Sequence, residues 1–243
     1  MRILLVADIH ANWAALSAID ERFDVCVFLG DVADYAADAE PCVQWVRQHS
    51  RVGIRGNHDH GLVQRVPVKR SSGLAALAAA TRSLHLQQLD SSQLKFVARL
   101  PVTRRFEVED RTFYLVHATP RDPLDEYLGP NPAAWQSRLQ GIDADFVCVG
   151  HTHQPYVLRL ERTVVVNPGS VGQPRDGDPR ASYAVIENGR VEIRRVEYDI
   201  DLTVRRMQEA GIEAELVELA EFVLRTGGRM PGIGRDGAPT AAE

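Results

Sequence analysis

Five short segments, far apart along the chain, each end in side chains that seek metal ions: Asp8-Ile9-His10, Gly30-Asp31, Gly56-Asn57-His58-Asp59, His117 and Gly150-His151-Thr152-His153. If they converge, everything from Asp8 to His153 has to fold as one unit. The strand ends that carry them must also gather on one edge. An open α/β sheet allows this, because ligands collect beyond the carboxyl ends of its strands.

The residues between the segments fit that requirement. Arg2–Ala7 and Asp24–Leu29 are continuous apolar runs that read as buried strands, and Val52–Ile54 is a third, shorter one. Helical patterns separate them: Trp13, Leu16 and Ile19, then Ala39–His49 with Pro41 tolerated in its first turn. Asp8, Asp31 and Asn57 therefore each lie just past a strand. Ser71–Leu100 is Ala-rich and helical, part of an expected helical insertion at about 61–100, with Asp90 and Gln93 forming a capping box. Val102–Val108 and Thr112–His117 form a hairpin around Glu109-Asp110. Ala133–Leu139 is a short helix, and Phe146–Val149 and Thr163–Val166 are buried strands. Asn188-Gly189 between two alternating runs marks a second hairpin. Two helices follow, near Leu202–Glu209 and Glu213–Arg225. The expected architecture is α/β: two facing mixed β-sheets sandwiched between helices, one domain over 1–226, with a disordered Gly- and Pro-rich tail over 227–243.

Composition excludes some function classes. With 28 Lys and Arg against 33 Asp and Glu and no basic run, there is no nucleic-acid footprint. No apolar run approaches a membrane span. Cys26, Cys42 and Cys148 form no CxxC pair and read as buried core residues, which fits a reducing cytoplasm.

Each segment also has a bland reading. Asp8-x-His10 places two side chains on one face if the segment is extended, yet Asp8 could simply cap the next helix. Gly30 lets the chain turn and brings Asp31 close to an ion; Asp34 reads as a turn or cap residue. His58 beside Asp59 suits a general acid whose ring the carboxylate orients, or else a surface ion pair. His117 alone could be a satisfied histidine at a sheet end. The two imidazoles of Gly150-His151-Thr152-His153, placed after an apolar strand, are harder to explain away. His49 and His85 look structural, and His60 is close enough to touch a substrate. Arg121 and Arg175 each follow a proline, and are candidates to grip a phosphate or to pair with Asp122 or Asp176. Gly169-Ser170-Val171-Gly172 lacks the GxSxG spacing of a nucleophile elbow.

The order DxH, GD, GNHD, a lone His and GHxH resembles the calcineurin-like metallophosphoesterase family, most of all its small prokaryotic branch. The stretches LVHATPRDPLDEYL and VVVNPGSVGQPRDGDPRASY are similar to that branch too, so the likeness covers about residues 1–200. It implies a four-layer αββα fold. It also implies one metal held by Asp8, His10, Asp31 and His153, a second held by Asp31, Asn57, His117 and His151, and an acid–base role for His58 assisted by Asp59. Ala118 after His117, where glycine is frequent, and Asp34, where a small residue is common, depart from the pattern without removing a ligand.

The resemblance implies hydrolysis of phosphate esters by a metal-bridging hydroxide. The mixed imidazole, carboxylate and amide ligands suit two divalent transition-metal ions, Mn first, with Fe, Zn, Ni or Co as alternatives to it. The expected substrate is a small phosphate ester or nucleotide. A phosphodiester is favoured over a phosphomonoester or a dinucleoside polyphosphate. A non-catalytic metal-binding scaffold that recruits other proteins is the rival class; it would not need every ligand and the acid, and all are present. The sequence leaves the oligomeric state open.

Overall fold

The structure, a computed structural model, describes residues 1–68 and 73–228. The chain runs β1 (Arg2–Val6), α1 (Trp13–Ser17), β2 (Val25–Phe28), α2 (Ala39–His49), β3 (Ser50–Gly53), α3 (Asn57–Val63), α4 (Gly73–Gln88), α5 (Ser91–Arg99), β4 (Thr103–Val108), β5 (Arg111–Val116), α6 (Pro132–Arg138), β6 (Phe146–Cys148), β7 (Tyr156–Arg159), β8 (Val164–Asn167), β9 (Ala181–Glu187), β10 (Arg190–Val196), α7 (Ile200–Glu209) and α8 (Ala214–Thr226).

The strands form two five-stranded mixed sheets, ordered β10-β9-β1-β2-β3 and β4-β5-β6-β8-β7. Each is built around three parallel neighbours, β1-β2-β3 and β5-β6-β8, with antiparallel strands outside them. The strands alternate sides, and the sequence uses both. Ile3, Leu5, Val25 and Val27 face the second sheet, where Phe113, Leu115, Phe146 and Cys148 meet them. Leu4, Val6, Cys26 and Phe28 face outward onto a cluster shared with α2, α7 and α8. On the far side of the second sheet, Trp135 of α6 is fully buried against Val147, Val149 and Val165. The result is the expected order of helix, sheet, sheet, helix.

Local chemistry sets the boundaries. Asp90 accepts from the Ser92 and Gln93 N–H groups at 2.7 and 2.8 Å, while the Gln93 side chain accepts from Asp90 N–H at 3.0 Å, as the capping box predicts. Both hairpin turns, Glu109-Asp110 and Asn188-Gly189, place two consecutive residues at positive φ, which matches the twist of the flanking strands. Leu77 of α4, Val97 of α5 and Leu89 between these helices are buried in the same cluster as α2.

Some expectations change. α3 begins at Asn57, inside a segment read only as a metal-binding motif, and β7 adds an edge strand the sequence reading did not have. The expected tail loses its first two residues: Gly227, at φ 60°, is the left-handed cap of α8 and accepts a hydrogen bond from Gly177 N–H at 2.9 Å, and Gly228 N–H donates to Val223 O. The rest of that tail, 229–243, and 69–72 of the expected insertion lie outside the described residues.

Candidate metal centre

Five of the six central parallel strands end at the same place. Asp8 follows β1, Asp31 follows β2, Asn57 follows β3, His117 follows β5 and His151 follows β6. Their side chains form two groups, Asp8 with His10 and His153, and Asp31 with His117 and His151; within each group the nearest ligand atoms all lie within 4.8 Å of one another. The groups adjoin: His117 Nε2 is 3.1 Å from Asp31 Oδ2 and 3.9 Å from Asp8 Oδ1, and His10 Nε2 is 4.0 Å from Asp31 Oδ2.

The backbone brings them together by a route the sequence did not reveal. Asp8, His10, Asp31, His151 and His153 all sit at positive φ, between 49° and 66°. The extended face-sharing geometry expected for Asp8 and His10 is therefore replaced by tight left-handed turns, a conformation that costs a non-glycine residue about 1 kcal/mol or more. Close packing holds these turns. A Cβ on Gly56 would fall 2.1 Å from Asp31 Oδ1, so only glycine lets β3 approach that carboxylate. Asn167, at the end of β8, donates to Gly150 O at 2.7 Å, and Ser170 Oγ donates to Asp8 O at 2.7 Å. Ser170 is thus a strut beneath the ligand loops, in keeping with its lack of a nucleophile motif.

The rings are oriented one by one. Nδ1–H of His10 donates to Ala33 O at 2.8 Å, that of His117 to Leu29 O at 2.8 Å and that of His153 to Gln173 O at 2.6 Å. Each leaves Nε2 facing the cluster, and His10 and His153 Nε2 approach to 3.1 Å. His151 is reversed: its Nε2 is 3.3 Å from Asp125 O, leaving Nδ1 on the inner side. Fixing the outer nitrogen of a ligating histidine is how proteins set its tautomer.

The set fits divalent cations. Asp8 Oδ2 and Asn57 Oδ1 are buried with no hydrogen-bond partner, two expected ligand atoms lacking the neighbour that burial demands, while Asp31 Oδ2 and His117 Nε2 meet at 3.1 Å. Burial holds His10 and His151 neutral, their pKa values lowered to about 3, and lowers that of His153 too. Burial also raises Asp8 to about 7, with Asp31 adding repulsion. Burial would raise Asp31 as well, but the His117 and His58 charges reverse that and hold it well below the usual carboxylate range.

His58 lies where an acid is expected, but its partner differs. Its Nδ1–H donates to Asp34 Oδ2 at 2.7 Å. Asp59, assigned that role from sequence, instead accepts from the backbone N–H groups of Asp31, Val32 and Gly56 at 2.8, 2.9 and 3.2 Å. It caps α3 and ties the Asp31 loop to it. Asp34, read as a turn residue, is fully buried, and α4 secures it: Arg82 Nε donates to Asp34 Oδ2 at 3.1 Å, and His85 Nδ1 accepts from Asp34 N–H at 3.1 Å. Burial lowers the His58 pKa, but the Asp31 charge and the Asp34 bond outweigh it, so the net shift is upward and favours the proton-donating form. A charged residue three positions after Gly30-Asp31 was the available signal, and only α4 shows its direction.

The two arginines separate. Arg121 is exposed and paired with Glu126, so its ion-pair reading holds with a different acid from Asp122. Arg175 lies at the rim, its guanidinium 5.6 Å from the Tyr35 ring centre and donating to Gln173 Oε1 at 2.7 Å. Asp176, offered as its partner, pairs with Arg195 instead, and among the described residues no carboxylate pairs with Arg175. Tyr35 and Tyr127, absent from the sequence-derived site, flank it: Tyr35 is 4.6 and 4.8 Å from the His10 and His58 rings, and Tyr127 is 4.2 Å from that of His151.

A sandwich of two mixed sheets with a paired acid–imidazole cluster at its strand ends defines a metal-dependent phosphoesterase, a hydrolase of phosphoric ester bonds. The chain belongs to the calcineurin-like phosphoesterase superfamily, whose domain profile matches residues 1–189. An uncharacterized protein of Methanocaldococcus jannaschii is 31% identical over 221 residues, covering 82% of this chain and 88% of its own length. The phosphodiesterase YfcE of Escherichia coli is 25% identical over 198 residues, 77% of this chain and 88% of that one. Among solved structures, a metallophosphoesterase from Sphaerobacter thermophilus is 34% identical with a TM-score of 0.75, covering 93% of this chain and 99% of that one. A hypothetical protein from Pyrococcus horikoshii, 18% identical, shares the fold with a TM-score of 0.79 over 94% of this chain and 98% of its own.

Proposed function

We propose that the chain is a phosphodiesterase working with two divalent transition-metal ions, manganese first among them. The observation that carries this reading is the pair of adjoining ligand groups with His58 held beside them by Asp34. Asp8, His10, Asp31 and His153 would hold one ion, and Asp31, Asn57, His117 and His151 the other. When bound, the ions supply positive charge for the phosphate and a water acidic enough to attack phosphorus near neutral pH.

The chain's own groups do the rest. Arg175 meets the phosphate at the rim through its guanidinium. His58 gives a proton from Nε2 to the departing oxygen while Asp34 keeps Nδ1 protonated and the ring aimed. The diester preference draws support from the 25% identical relative named a phosphodiesterase. Three buried, unpaired cysteines support a cytoplasmic location, and among the described residues no helix is long and apolar enough to cross a membrane.

The test is hydrolysis of mono-, di- and pyrophosphate esters by metal-stripped protein titrated with Mn, Fe, Zn, Ni and Mg. Diesters should turn over fastest, with Mn giving the highest rate. Fast pyrophosphate cleavage with inert diesters would overturn the substrate class, and a highest rate with Mg would overturn the assigned metal.

A further inference from the structure

Beside His58 lies a cleft of about 410 Å³ between α3, α4 and the loop around Leu124. Asn57 and His58 line it, so it is continuous with the candidate metal centre. We infer that this cleft receives the alcohol half of the substrate, a neutral, ring-bearing group that departs with the ester oxygen. The inference rests on the phosphoesterase reading and deepens it by naming the leaving group.

Three observations carry it. The first is position: the cleft opens at the imidazole expected to protonate the departing oxygen. Water supplies oxygen to phosphorus as the P–O bond to the alcohol breaks, and the proton lost by water restores the one His58 gives up. The freed alcohol is then already in the cleft.

The second is wall chemistry. Val66, Ala75 and Leu124 give an apolar surface and Tyr35 adds a ring, the usual lining for an organic ligand of this size. His60 contributes a ring whose Nδ1 has no hydrogen-bond partner, so its hydrogen-bonding capacity is unfilled. The sequence alone had placed His60 close enough to touch a substrate.

The third is charge. Arg82 is the only Lys or Arg among the described lining residues, and it is committed to Asp34 and to the Val66 carbonyl. Asp125 adds a carboxylate. Among the described lining residues, an anionic leaving group such as the phosphate end of a nucleotide would meet no uncommitted cation and one carboxylate. The described lining thus favours an uncharged alcohol over a pyrophosphate-type leaving group.

The test uses Mn-loaded full-length protein with thymidine and benzyl alcohol as probes of the cleft, read by saturation-transfer NMR, and inorganic phosphate as a probe of the metal centre, read by calorimetry. Ala75→Trp should weaken both alcohols at least about tenfold, or about 1.4 kcal/mol, and leave phosphate affinity unchanged. Leu124→Ala, which removes a contact without crowding α4, should weaken them several-fold and guards against a misfolded tryptophan variant. Alcohols that do not bind the parent, or that bind both variants as tightly as the parent, overturn the inference. Cleft-dependent alcohol binding in a protein that hydrolyses no ester would support the cleft and defeat the enzymatic reading instead.

Discussion

Two acids near His58 have opposite jobs. Asp34 touches the ring, whereas Asp59 touches only backbone N–H groups. Asp34→Asn should therefore lower kcat for esters with poor leaving groups by about 10- to 100-fold, the usual cost of losing a partner that orients a working histidine. It should affect nitrophenyl esters much less, because they depart without a proton. Bound metal, counted by elemental analysis, should not change. Asp59→Asn should instead loosen the Asp31 loop, costing about 1–3 kcal/mol of stability through unsatisfied buried donors and lowering metal retention. A fully active Asp34→Asn enzyme on alkyl esters, with an inactive but well-folded Asp59→Asn, would reverse the two roles. Sequence pointed to the two carboxylates and four imidazoles that the fold gathers because each stands at the end of an apolar strand or in a short His-bearing motif. It missed Asp34 because the partners that aim it, Arg82 and His85, come from α4, about fifty positions away. Adjacency in the chain made Asp59 the obvious choice, whereas a left-handed turn at Asp34, φ 68°, brings that carboxylate to the ring.

Elements fix these residues through close approaches and buried polar ties. The junction of β3 and α3 is the tightest, and Gly56→Ala would drive a methyl into the Asp31 carboxylate. The variant should fold with lower stability and lose metal, measurable as a fall in ions bound per chain; unchanged metal content would show that the junction has slack. The stretch between β5 and α6 is tied differently. Glu126 binds Arg138 Nη2 at 2.8 Å, the Thr119 hydroxyl and Arg121. Arg138 first, then Thr119 and Arg121, lower its pKa from 4.5 to about 2. A lowered carboxyl pKa means the stabilisation is complete above about 4.5, the unfolded value, and fades as pH falls towards about 2. Urea unfolding of the parent and of Glu126→Gln should differ by about 1–2 kcal/mol at neutral pH and converge in acid. A gap that persists at the acid end would assign the loss to packing. At this scale the apolar runs and turn signals made most strands legible. β7 escaped because it is a four-residue edge strand whose pairing with β8 is set by the sheet, and α3 because Asn-His-Asp-His-Gly has no apolar period.

At the scale of the whole molecule, the candidate centre is the seam between the two sheets. One ligand group takes Asp8 and His10 from beyond β1 and His153 from beyond β6; the other takes Asp31 from beyond β2 and His117 and His151 from beyond β5 and β6. Each group therefore joins strands of both sheets. Away from the seam, the sheets meet chiefly through apolar packing, Ile3, Leu5 and Val27 against Phe113, Leu115 and Cys148. At the seam, two carboxylates and four imidazoles are buried, and Asp8 Oδ2 among them is left without a hydrogen bond, a destabilising arrangement that cations of the right charge would relieve. Metal should then act as a ligand of the folded state only. At a hundredfold excess over Kd, one ion adds about 2.7 kcal/mol, and a chain of this size gains about 2–4 °C per kcal/mol. Calorimetric scans of chelator-stripped protein titrated with Mn should show Tm rising with the logarithm of metal concentration, by roughly 5–10 °C at that excess. Asp31→Ala, which removes the carboxylate expected to serve both groups, should flatten that dependence and also lower the metal-free Tm, because it strips His117 of its buried charge partner and the His58 N–H of its acceptor. A Tm indifferent to Mn in the parent would mean that the two groups do not bind ions across the seam, and the assigned ligand set would fall with it.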